Sequence, residues 1–143
     1  MSPNSDLPTT AVLLIDGSKN QRTYWANQLK CCSSEYEIVQ ASDGQSGLDL
    51  YRSRRIDCVV LELDQSGFQT LVELVPIASR PRIAVIVLTK LTQRGMWELA
   101  KQHGAYACFV KQHTSGEDLD RAIHRAVAFV GQLPKEDRYA PSR

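Results

Sequence analysis

Three short runs in this chain, AVLLID (Ala11 to Asp16), CVVLEL (Cys58 to Leu63) and IAVIVLT (Ile83 to Thr89), are apolar at nearly every position. A strand with one wet face alternates apolar and polar residues. A continuous run means that both faces are covered, as in a parallel sheet packed between helices. YEIVQ (Tyr36 to Gln40) and AYACFV (Ala105 to Val110) are weaker strands and complete a set of five. Between them the period changes to that of a helix. Phe68, Leu71, Val72 and Val75 fall at i, i+3, i+4 and i+7, and Leu119, Ala122, Ile123, Ala126, Val127 and Val130 repeat the spacing near the end. Weaker helices fit Lys19 to Lys30 with Trp25 and Leu29 on one face, Gln45 to Arg52 with Leu48 and Tyr51, and Thr92 to His103 with Met96, Leu99 and Ala100. Asp43-Gly44 supplies a turn, and Pro76 and Gly104 sit where helices stop. Strand and helix alternate, so right-handed crossovers wind one parallel sheet with helices on both faces, an α/β three-layer sandwich.

The 143 residues suffice for one domain with a real core, expected over residues 10–131, with a disordered leader at 1–9 and a polar tail or linker at 132–143 that holds Pro134 and Pro141. A net charge of +1 gives no broad basic field for nucleic acid, and no apolar run approaches the roughly 18 residues of a membrane span. The first ten residues lack the basic and apolar regions of a signal peptide, so a cytoplasmic location is expected. Cys31, Cys32, Cys58 and Cys108 form no CxxC and have no histidine at metal spacing, which argues for inert thiols in reducing surroundings.

In open α/β sheets ligands bind beyond the carboxyl ends of the strands. Asp16 follows the first strand, Glu62 and Asp64 end the third, Thr89 ends the fourth and Lys111 follows the fifth. Acids, a hydroxyl and a lysine converging on one edge suit a hard cation and a phosphoryl group.

With LLIDGSKNQR, QASDGQSGL, IDCVVLE, IVLT and HGAYACFVK in that order along the alternation, the chain from about Thr10 to Gly131 resembles the receiver domain of two-component response regulators. The resemblance implies a flavodoxin-like (βα)5 fold with strand order 2-1-3-4-5. It places the phosphoacceptor position on Glu62, the switch hydroxyl on Thr89, the phosphate-contacting lysine on Lys111 and the aromatic switch position on Cys108. Asp16, Glu62 and Asp64 fall where magnesium ligands are expected. The chain also departs from the pattern. Gly17 stands where the family has a second acid, Glu62 replaces Asp, the stretch after Asp64 is shorter, and Gln112 replaces a proline. Losing a carboxylate weakens a near-octahedral magnesium cage. One extra methylene moves the acceptor oxygen by ~1.5 Å, and in-line transfer loses about a hundredfold from such misplacement.

Two functional classes are therefore carried. The first is a pseudo-receiver, not an enzyme, with no required cofactor and at most a weak magnesium site, that signals by contact with a histidine kinase, an output domain or a second copy of itself. In it Glu62 pairs with Lys111 and accepts from Thr89, a partial mimic supplying one charge against the roughly −1.5 to −2 of a phosphate. The second is a competent receiver that accepts a phosphoryl group from a histidine kinase with magnesium. A flavin carrier on the same fold is disfavoured by the first loop, Gly17 to Asn20. His103, His113 and His124 read as solitary surface residues, Arg121, His124 and Arg125 as one basic helix face, and Trp97 as an exposed residue where receivers meet partners.

Overall fold

The computed structural model describes residues 9–63, 70–72, 84–90 and 94–131. The strands are β1 (Thr10–Ile15), β2 (Tyr36–Ala41), β3 (Cys58–Glu62), β4 (Ala84–Thr89) and β5 (Ala107–Val110). The helices are α1 (Lys19–Cys32), α2 (Gly44–Ser53), a helical piece at 70–72 (α3), α4 (Arg94–Gln102) and α5 (Gly116–Gly131). All pairings are parallel and the order is β2-β1-β3-β4-β5. This is the α/β sandwich expected from the alternation, with the flavodoxin-like strand order that the resemblance implied. The tail at 132–143, the leader apart from Thr9, and Asp64, Phe68, Val75 and Pro76 lie outside the described residues.

Strand side chains alternate between two cores. Leu13, Ile15, Val59, Leu61, Val85 and Val87 face Leu48 of α2, Leu71 of α3 and Ala100 of α4. Val12, Leu14, Val60, Ile86 and Leu88 face Trp25 and Leu29 of α1 and Leu119 and Ile123 of α5. Both faces are buried, which is why the runs are continuous.

Caps set the helix starts. The Ser18 hydroxyl accepts from Gln21 N at 3.3 Å, and the Asp43 carboxylate accepts from Ser46 N at 2.8 Å. At α5, Ser115 Oγ accepts from Asp118 N while Asp118 Oδ2 accepts from Ser115 N, both at 3.0 Å. This reciprocal capping box starts α5 at Gly116, one turn ahead of the Leu119 where the apolar stripe begins.

Three sequence readings are corrected. Leu99 is not a core residue, being 40% exposed beside the exposed Trp97, and only Ala100 of that stripe is seen to be buried. His124 is not without an acid, since its Nδ1 lies 3.3 Å from Asp120 Oδ1, one helical turn back. The basic face is mixed, because Arg121 pairs with Asp118 at 2.6 Å.

Candidate functional site

Register brings the acids together. Ile15 pairs with Leu61, so the next residues along, Asp16 and Glu62, end adjacent strands side by side. By alternation both continue the Val12–Leu14 and Cys58–Val60 rows, on the α1 and α5 side of the sheet. Val110 pairs with Thr89 at the end of β5, and the chain then turns into a short 3-10 segment, Lys111–His113, that directs Lys111 back across the edge.

The Lys111 ammonium lies 2.7 Å from Asp16 Oδ2 and 2.7 Å from Glu62 Oε2. Asp16 and Lys111 are buried, and the Glu62 side chain is 17% exposed. Asp16 is held further: its Oδ1 accepts from Ser18 N at 2.8 Å, and its backbone carbonyl accepts from Arg22 Nη1 at 2.6 Å. Arg22 and Trp25 of α1 also line a cavity of about 10 Å³ with Asp16 and Glu62. The site thus sets two carboxylates against one ammonium, with a guanidinium on the neighbouring carbonyl.

Thr89 is fully buried, and its hydroxyl donates to Leu63 O at 3.0 Å. A hydroxyl has one proton to give, so the expected donation to Glu62 is corrected. Alternation explains it: Thr89 follows Val85 and Val87 on the other face of the sheet from Glu62. Cys108 pairs in register with Val87 and packs on that same far side. Burial pushes its thiol up to about 11. Gly17 is exposed, and a Cβ there would meet only Ser42 O at 3.8 Å, an ordinary contact. Neither space nor a left-handed backbone demands glycine, which is seen at Gly104 (φ 100°) instead.

Magnesium takes an octahedral shell of oxygens. The described donor set offers two carboxylates, both already paired with an ammonium, and a glycine at a position with room for a third acid. That set is a poor fit to the ion. Asp64 lies outside the described residues. Sequence reasoning missed Arg22 and Trp25; a basic residue in the second turn after a strand-ending acid was the available signal for the first.

The family model for the response regulator receiver domain matches residues 12–124. The transcriptional regulatory protein PdtaR of Mycobacterium tuberculosis is 35% identical over 94 residues, which are 65% of this chain and 45% of that protein, so the match spans less than half of the relative's length. A response regulator receiver domain protein from Clostridium thermocellum superposes with a TM-score of 0.75 at 25% identity, covering 87% of this chain and 99% of that one. A CheY-like receiver protein from Methanospirillum hungatei gives a TM-score of 0.74 at 17% identity, covering 87% and 98%, a likeness of fold alone.

Proposed function

Because the chain belongs to the response regulator receiver domain family, we propose that it is a pseudo-receiver of a two-component system, acting through protein contact with Glu62 in the phosphoacceptor position. The observation that carries this reading is the Lys111 ammonium set 2.7 Å from both Asp16 and Glu62. In a working site the strand-end acids hold a dication, and the lysine meets the arriving phosphoryl group. Here the lysine pairs with both acids itself, and Glu62 occupies the lysine as a phosphoryl oxygen would. The mimicry is partial, since the Thr89 hydroxyl is engaged by Leu63 O. The module is then biased toward one conformation rather than switched between two. Magnesium binding is weak, and the domain is not an enzyme.

Its partners are a histidine kinase, an output domain or a second copy of the chain, met in the cytoplasm. The exposed Trp97 and Leu99 of α4, with Tyr106 and Phe129 whose rings lie 5.8 Å apart, supply apolar surface for such contact. Among the described residues no helix is long and apolar enough to cross a membrane.

The test is intact-protein mass after incubation with a small phosphodonor and magnesium, with Glu62→Gln alongside. No adduct is expected. A phosphoryl adduct lost in Glu62→Gln would establish the competent receiver instead.

A further inference from the structure

At the end of α1 away from Ser18 and the paired acids, a groove of about 480 Å³ lies between the last turn of α1 and the first turns of α5. Cys31 and Cys32 line one side, Glu117 and Asp120 the other. Both thiols are exposed and free. The helices meet closely here, since a Cβ on Gly116 would sit 2.6 Å from Gln28 Oε1 and 2.8 Å from its Cβ. Three constraints decide what two adjacent thiols in such a groove do. They do not close readily on each other, because neighbouring Cα atoms are about 3.8 Å apart across a trans peptide and a disulfide wants roughly 4.4 to 6.8 Å. An atom set between the sulfurs adds a bond to the bridge and lifts that restriction. They do not belong to a zinc-type cage: among the described residues no three His, Cys, Asp or Glu side chains converge as a ligand set, and zinc takes four. Their surroundings are acidic. Desolvation, then the charges of Asp120 and Glu117, raise the Cys32 thiol above its ordinary 9.0, so it keeps its proton near neutral pH. Arg121 also lines the groove, but its guanidinium is engaged by Asp118 at 2.6 Å. Two thiolates on a monovalent ion such as copper(I) make an anionic complex, which this field opposes. A centre that takes both sulfurs and leaves them neutral is not opposed.

We propose that Cys31 and Cys32 form a vicinal dithiol site for a neutral trivalent arsenic centre, arsenous acid or a monosubstituted arsenical. The step is an exchange. Two As–O bonds break and two As–S bonds form, each thiol proton leaves with a hydroxyl as water, and arsenic and sulfur keep their oxidation states. No thiolate has to accumulate and no net charge is created, so the carboxylates that hold Cys32 in its thiol form do not resist the product. The number of ligands also matches, since a monosubstituted arsenic(III) has two exchangeable oxygens and the groove supplies two thiols. Occupancy adds bulk where α1 ends beside the first turns of α5. The site is separate from Asp16, Glu62 and Lys111, and it stands or falls independently of the pseudo-receiver reading.

The experiment is the intact mass of the full, reduced chain titrated with phenylarsine oxide, alone and after incubation with arsenite. One adduct per chain is expected, equal to the reagent less one water, and arsenite competes with it. Cys31→Ser and Cys32→Ser, both at exposed positions, each weaken the adduct at least about a hundredfold, because the second As–S bond is intramolecular. Cys108→Ser leaves it unchanged, since that half-buried thiol packs against the other core. A small dithiol strips the arsenic, and glutathione, with one thiol, does not. The proposal is overturned by the absence of an adduct, by an adduct that survives either of the first two substitutions, or by release with glutathione. It is overturned equally if zinc blocks the reagent below about 1 μM, which would mean that further ligands complete a metal cage.

Discussion

Lys111 is the residue on which the site's electrostatics turn, because it is the cation that lies between two carboxylates ending adjacent strands. Removing one member of a buried ion cluster strands the others, at a cost of about 3 kcal/mol. Lys111→Met is therefore expected to lower unfolding free energy by that order, read from the urea midpoint at unchanged m-value, whereas a solvated lysine would move it by less than about 0.5 kcal/mol. Gly17→Asp is the converse change. The position has room for a side chain, and a third carboxylate beside Asp16 and Glu62 should strengthen magnesium binding by at least about tenfold, measured by calorimetry. Asp16, Glu62 and Lys111 were legible in the sequence because strand ends in an open parallel sheet are where chemistry collects. Trp25 was legible only as a core residue: helical period says which face a residue is on, and nothing about the cavity it lines.

The helices show how far pattern alone reaches. Apolar period located α1, α2 and α5 but did not mark the start of α5, which lies a turn ahead of the stripe, because a capping box is polar and carries no stripe. In α4 the same signal erred, since the apolar positions of a nine-residue helix do not define a unique face. Close packing adds constraints no stripe carries. A Cβ on Gly47 of α2 would sit 2.4 Å from Ile15 Cδ1 and 2.8 Å from its Cγ1, so Gly47→Ala is expected to cost about 1 to 3 kcal/mol in chemical denaturation despite its better helix propensity. Capping also gives a pH dependence. The Ser46 N–H holds the Asp43 carboxyl below its ordinary value of 3.8, and the Ser115 N–H does the same for Asp118. A depressed folded-state value means that the ionised cap contributes stability above the ordinary carboxylate range and loses it as pH falls through the lowered value. The first turns of α2 and α5 should loosen there, followed by the amide shifts of Ser46 and Asp118. Asp43→Asn, which keeps an acceptor without a titrating group, should flatten the response at Ser46 alone.

At the scale of the whole molecule, one sheet separates two cores, and each central strand contributes to both. Neither face can open without exposing the strands that the other depends on, so unfolding is expected to be a single transition. In a Trp97→Phe background, Trp25 reports the α1 and α5 side while circular dichroism reports every helix; coincident midpoints would verify the coupling, and separated ones would mean that the faces unfold independently. The class of fold was legible because continuous apolar strands admit few architectures. The strand order came from resemblance, and the division of the site residues between the two faces emerged only with register, which is why Thr89 was expected beside Glu62. The Lys111 bridge has one more consequence. A cation tethered to the chain has an effective concentration fixed by geometry, not by the solution around it. It is neither diluted nor chelated, so on the proposed pseudo-receiver reading the domain is expected to keep its conformation through changes in divalent ions that would disarm a metal-dependent receiver.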